Sequence, residues 1–132
     1  MFILTIIFQE FFVIDRDLFL ERPDLVSTGR TLIGNLPSLG QQTEKHYFGK
    51  MPQRVRDYLR DVQKELWKVG IAQFTVHNEV SPSQYEICPI YTRSTLGADQ
   101  NTLAMEILES FALKHGLVCL LHEKPFAGIN GR

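Results

Sequence analysis

Ile71-Ala-Gln-Phe-Thr-Val-His-Asn-Glu79, then Val80-Ser-Pro-Ser83, then Gln84-Tyr-Glu-Ile-Cys-Pro-Ile-Tyr-Thr92, is the stretch that decides the fold. Its two arms are rich in β-branched and aromatic residues, and the Ser81-Pro-Ser83 cluster between them turns the chain, so the reading is two consecutive strands. Before it, Pro52 opens a helix at a position that suits proline. Val55, Tyr58, Leu59, Val62 and Leu66 follow the 3, 4 and 7 spacing of one buried face, and Gly70 closes the helix with Lys68 in its last turn. After it, a second helix is expected from about Asp99, a plausible N-cap, to His115. Leu103, Ile107 and Phe111 mark its inner face, flanked by Met105, Leu108 and Ala112, and Gly116 ends it.

Further out, Leu4 to Asp15 and Leu117 to His122 read as strands. Arg16 to Met51, punctuated by Pro23, Gly29, Gly34, Pro37, Gly40 and Gly49, reads as one long loop of the kind that carries function in a compact domain. The order strand, loop, helix, strand, strand, helix, strand specifies an α+β fold. Two helices pack on one face of a mostly antiparallel sheet and leave the other face free.

The bulk numbers narrow the function classes. At 132 residues the chain is one domain or part of one, with 44% hydrophobic and 22% charged residues. A net charge of −1 with no basic block argues against nucleic acid. The apolar start Met1 to Phe8 lacks a basic region and a cleavage site, and Gln9 and Glu10 end it well short of a membrane span. Cys88 and Cys119 sit in apolar runs, which fits a reducing cytoplasm better than a disulfide framework.

Against this background three carboxylates stand out: Glu10 in Phe8-Gln-Glu-Phe-Phe-Val-Ile-Asp15, and Glu79 and Glu86 in the two central strands. A carboxylate in a buried strand is costly unless a cation or hydrogen bonds offset its charge. Acids converging from several strands suggest an oxygen-lined site for Mg²⁺ or Mn²⁺. The plain alternative is that each acid points separately to solvent from an edge strand.

Longer blocks of text give a resemblance. Gln9-Glu-Phe-Phe-Val-Ile-Asp15, Arg22-Pro-Asp-Leu-Val-Ser-Thr-Gly-Arg-Thr-Leu32, Gly40-Gln-Gln42 with His46-Tyr-Phe-Gly49, His77-Asn-Glu-Val80 with Gln84-Tyr-Glu-Ile87, and the run His115 to Gly131 together resemble type III glutamine synthetase. They follow in one order from Phe8 to Gly131, so the chain reads, over residues 1–132, as part of that catalytic domain. Residues 1–8 form an atypical start.

The resemblance implies ATP-dependent ligation of ammonia to glutamate through a γ-glutamyl phosphate, in a cytoplasmic, ring-shaped homo-oligomer. It implies two divalent cations, Mg²⁺ or Mn²⁺, with Glu10, Glu79 and Glu86 matching the three ligands of one of them. Asn130 and Gly131 match an Asn-Gly pair that binds glutamate. Supporting roles each have more than one reading. His77 either lines the nucleotide or ammonia side or packs in its strand. Gln84 either orients Glu86 or caps the turn, and Arg30 either meets phosphate or a neighbouring subunit or is a solvated loop residue. Trp67 reads as packing.

Two departures temper the carry-over. Phe8 stands where the family has a further acid, and the family's later histidine and arginines have no counterpart here. The expectation is therefore a slice with little activity alone. A non-catalytic α+β binding module, or a truncated gene product, is the competing reading.

Overall fold

Alternation along one strand sets the architecture. In the computed structural model, which describes residues 3–129, β2 (Gln9–Asp15) sends Phe11 and Val13 to one face of the sheet and Phe12 and Ile14 to the other. β2 is central: β3 (Gln73–Asn78), β4 (Gln84–Pro89), β2 and β6 (Leu117–Leu120) pair in that order, every neighbour antiparallel. The mixed α+β layer with an antiparallel sheet is thus the observed fold.

Two long helices, α3 (Gln53–Lys68) and α4 (Ser94–Lys114), cover the Phe11 face. Val55, Tyr58, Leu59, Val62 and Leu66 are buried, as their spacing predicts. They pack with Phe11, Val13, Tyr85, Ile87, Leu117 and Cys119 of the sheet. The Tyr58 hydroxyl donates to the Leu108 carbonyl at 2.8 Å, tying α3 to α4. Gly70 (φ +81°) ends α3: its N–H donates to Trp67 O and the Ile71 N–H to Leu66 O, a Schellman pair closed by the buried Ile71 and Leu66 side chains. The outer face of α3 is solvated and ion-paired at i,i+3: Asp57 with Arg60, Asp61 with Lys64, Glu65 with Lys68. Trp67 is exposed there rather than packed.

α4 departs from the sequence expectation at its start. It begins at Ser94, not near Asp99, and Arg93 occupies the N-cap without a side-chain cap. The reason is tertiary. Strands β1 (Leu4–Thr5) and β5 (Thr92–Arg93) form a two-stranded ribbon over the first turn. Gly97 is buried there, where an added Cβ would touch Ile7 and Thr92 at 3.4 Å. The Thr5 and Ser94 hydroxyls meet at 2.7 Å. These contacts outweigh the capping preference of Asp99. The inner face is Ala104, Ile107, Leu108 and Ala112, with Leu103 exposed. The strands expected from Leu4 to Asp15 and from Gln84 to Thr92 are each split in two.

The stretch from Arg16 to Met51 is not wholly loop. It contains α1 (Arg16–Leu20), capped by the Asp15 carboxylate, and α2 (Pro23–Thr28), closed by Gly29 at φ +70°. Neither is the free face free throughout. Leu25 of α2 packs with Phe12 and Leu120, joined by Phe19, Ile14, Val118, Phe126 and Ile129. This second cluster covers the β2–β6 half and leaves open the half where β3, β4 and the start of β2 lie.

A charged clasp holds that cover. Arg22 is bidentate to Asp24 at 3.0 and 2.7 Å and also donates to Ile33 O, while Leu32 N donates to Asp24 Oδ2 at 2.8 Å. The Arg22 guanidinium, followed by the Leu32 amide, holds the Asp24 carboxyl well below the usual carboxylate range. Its contribution is complete above the unfolded-state value of about 3.9 and is lost as the pH falls toward the lower folded-state value. Asp24→Asn is expected to lower the urea midpoint at pH 7 and to flatten its fall in acid. Midpoints of both proteins at pH 7 and pH 3 measure this, and parental stability of the variant at pH 7 would contradict it.

Candidate metal centre

Strand register builds the site. His77 pairs with Glu86, and Glu86 pairs with Glu10, so three polar side chains from β3, β4 and β2 lie in one row across the open half of the sheet. Directly opposite residues on antiparallel strands project to the same side, about 4.5–5.5 Å apart at Cβ. Glu79, two residues beyond His77, returns to that side where β3 ends.

The tight turn brings Glu79 in. Glu79 N donates to Gln84 O at 2.9 Å and Gln84 N to Ser81 O at 3.1 Å. Ser81 is fully buried, its hydroxyl donating to Gln41 Oε1 at 2.8 Å. Ser83 takes a left-handed conformation (φ +60°), the kind of backbone found in short polar turns.

The side chains converge. His77 Nε2 lies 2.9 Å from Glu86 Oε1 and His77 Nδ1 lies 3.3 Å from Glu79 Oε1. One donor atom from each of these three residues lies within 4.8 Å of the other two. Gln84, buried, donates through Nε2 to Glu10 Oε2 at 2.8 Å. Gln84 therefore orients Glu10, not Glu86, while its backbone closes the turn.

Charge is crowded here. Burial, with the nearby charges of Glu86 and then Glu10, raises the Glu79 pKa above its ordinary value against the opposing pull of His77. For His77, burial works against the charged form. The Asn78 carbonyl and the Glu86 and Glu79 carboxylates outweigh it, so its pKa also rises. In its charged form the His77 ring offsets part of the repulsion among the acids.

The donor set fits a hard divalent cation. It offers carboxylate oxygens from Glu79 and Glu86 and a ring nitrogen from His77, all half-buried. Glu10 lies next to Glu86 in the row but outside that group of three. The Glu79 carboxyl is already disfavoured as an anion by burial and by its neighbours. The ligand atoms of His77, Glu79 and Glu86 all lie within 4.8 Å of one another, close enough for one ion to meet all three.

Not every expected residue joins this cluster. Arg30 is exposed after α2, and among the described residues its guanidinium makes no ion pair with the acids. Phe8 is exposed as well. Asn130 and Gly131 lie outside the described residues.

Residue-by-residue reading overlooked the loop that caps the site. His46 Nδ1 donates to the Glu79 carbonyl at 2.7 Å, and Asn78 Nδ2 donates to His46 O and Gly49 O at 2.8 and 2.9 Å. The Tyr47 ring meets the His77 ring edge to face, centroids 6.0 Å apart. The only signal was the text His46-Tyr-Phe-Gly49 itself, which carries no intrinsic chemistry.

Comparison with known proteins agrees with this architecture. Residues 4–132 match the family model described as glutamine synthetase, catalytic domain, a match that takes in Leu4 to Phe8. The chain is similar to the type-3 glutamine synthetase of Dictyostelium discoideum, 54% identical over 123 residues. It is 50% identical over 123 residues to a glutamine synthetase of Butyrivibrio fibrisolvens. Each alignment covers 93% of this chain but only 17% and 18% of the relative's length. A solved structure of GmaS without ligand superposes with a TM-score of 0.70 at 23% identity, covering 97% of this chain and 27% of that one, which speaks to the fold alone. No helix among the described residues is long and apolar enough to cross a membrane. The chain belongs to the glutamine synthetase family and corresponds to a portion of its catalytic domain.

Proposed function

We propose that this chain carries one cation half-site of a glutamine synthetase, an enzyme that joins ammonia to glutamate with ATP through a γ-glutamyl phosphate. The observation that supports it is the convergence of His77, Glu79 and Glu86, with Glu10 in the same row, on the open half of a sheet in a matched catalytic domain.

Glu10, Glu79 and Glu86 would hold Mg²⁺ or Mn²⁺, with Gln84 fixing Glu10 and His77 bridging Glu79 and Glu86. A bound cation supplies positive charge that offsets repulsion between a carboxylate and the phosphates of ATP. Asn130 and Gly131 are assigned to the glutamate substrate: an amide can donate to its carboxylate, and glycine permits close backbone approach. Arg30, exposed on its loop, is open to a phosphate or a neighbouring subunit. For the whole protein we assign glutamate, ammonia and ATP as substrates and a cytoplasmic, ring-shaped homo-oligomer as the working form.

The 132-residue chain has no recognisable second-cation ligand set, because Phe8 replaces one acid and a phenyl ring cannot coordinate a metal. A γ-glutamyl transfer assay with Mn²⁺ and ADP is expected to give only the no-protein background rate. Turnover above it that rises with chain concentration would contradict the half-site reading.

A further inference from the structure

We infer that Asn78 and His46 are positioning residues for this cation site, fastening the loop His46–Gly49 over the end of β3 and so fixing the His77–Glu79 pair. The inference rests on the cation reading above and concerns residues to which that reading gives no role.

Asn78 is 6% exposed. It pairs with Tyr85 across the β3–β4 ladder, so its side chain points away from the face that carries His77 and Glu79. Both hydrogens of its amide are used, on His46 O and Gly49 O. Among the described residues its buried Oδ1 has no hydrogen-bond partner. A buried amide oxygen left unpaired is unfavourable, so this side chain's contribution lies in the two donations.

Those donations grip the loop from beneath. On that same side the His46 ring rests edge-on against Tyr85, centroids 5.3 Å apart, and its Nδ1 donates to the Glu79 carbonyl. The Tyr47 ring completes the enclosure against His77. Three consecutive residues, His77, Asn78 and Glu79, are therefore each held by the loop: one by its ring, one by its side chain, one by its backbone. The loop can present this surface because it turns tightly. A Cβ at Gly49 would fall 2.5 Å from Lys45 O.

A hydrogen bond that fixes the backbone of one ligand and flanks its neighbour sets where both donors point. Loss of such outer contacts characteristically weakens metal affinity 10–100-fold. Asn78→Ala and His46→Ala are expected to weaken Mn²⁺ binding to the full chain by that factor. His46→Asn, which keeps a donor near the position of Nδ1, should recover most of it. In the cation-free chain, the His77 imidazole resonances should move in both alanine variants and stay near parental in His46→Asn.

The two readings fail differently. A parent chain that binds no Mn²⁺ ends the cation reading, and the His77 resonances then decide the positioning role alone. Parental Mn²⁺ affinity, or parental His77 resonances, in folded Asn78→Ala and His46→Ala chains would overturn the inference. If Asn78→Ala does not fold, the contrast between His46→Ala and His46→Asn still decides it.

Discussion

A chain carrying Glu79→Gln and Glu86→Gln loses its stabilisation by Mn²⁺. In the parent, cation at 100 times its dissociation constant should stabilise the fold by about 2.7 kcal/mol, roughly a 10 °C rise in melting temperature for a domain of this size. The double variant keeps the shape of both side chains but removes two charges from a site whose donors lie within 4.8 Å. Its expected Mn²⁺-dependent rise is below about 1 °C, since little differential binding remains to couple to folding.

Without cation the sign differs. Folded Glu79 holds its proton more tightly than the unfolded chain does, and so does His77. Between the unfolded and folded values of each group the native state binds more protons, so stability falls as pH rises through both windows. The cation-free parent should be more stable in mild acid than at pH 8, and the double variant should lose that slope. Mn²⁺ stabilisation should instead grow with pH, because cation and proton compete for the same groups. Thermal melts of both chains at pH 5.5, 7 and 8, with and without Mn²⁺, check all three signs. Equal Mn²⁺ shifts in parent and variant would remove Glu79 and Glu86 from the site.

Phe11→Ala is expected to have the largest effect on the fold, about 3–5 kcal/mol. Phe11 is completely buried between the sheet and the α3–α4 layer, its ring 6.3 Å from that of Tyr85. Neighbours there come from five elements and cannot collapse together into the space. Since domains are typically stable by about 5–15 kcal/mol, this one substitution puts the folded state at risk. Phe12, equally buried, faces the smaller cluster with Leu25 and Leu120, ringed by half-buried side chains on short elements that can close in. Phe12→Ala should therefore fall at the lower end of the range. Urea denaturation of both variants measures the order, and a Phe12→Ala cost above that of Phe11→Ala would contradict this account of the core.

These contrasts also show why parts of the molecule were legible in the sequence and others were not. The inner face of α3 was readable because a long amphipathic helix repeats one physical requirement, from Val55 to Leu66, and Gly70 ends it by a local rule. The start of α4 was not, because the ribbon of β1 and β5 over Gly97 is a contact between segments about 90 residues apart. The second apolar cluster was missed for the same reason: Leu25 looks like any loop leucine until it meets Phe12 and Leu120.

At the candidate site, acids inside apolar strands were conspicuous one by one. Their convergence depends on register, which pairs His77 with Glu86 and Glu86 with Glu10. The bond from Gln84 to Glu10, rather than to Glu86, follows from that register too. Asn78 and His46 were invisible, since an asparagine and a loop histidine declare a role only when their partners are known.

The central claim is that these carboxylates form a divalent-cation site. Its most direct measurement is a titration of the purified chain with Mn²⁺, following the free ion by electron paramagnetic resonance and competing with Mg²⁺. The account predicts one saturable site per chain that excess Mg²⁺ displaces and that Glu79→Gln with Glu86→Gln abolishes. Uptake that never saturates, or that is unchanged in the double variant, would contradict it.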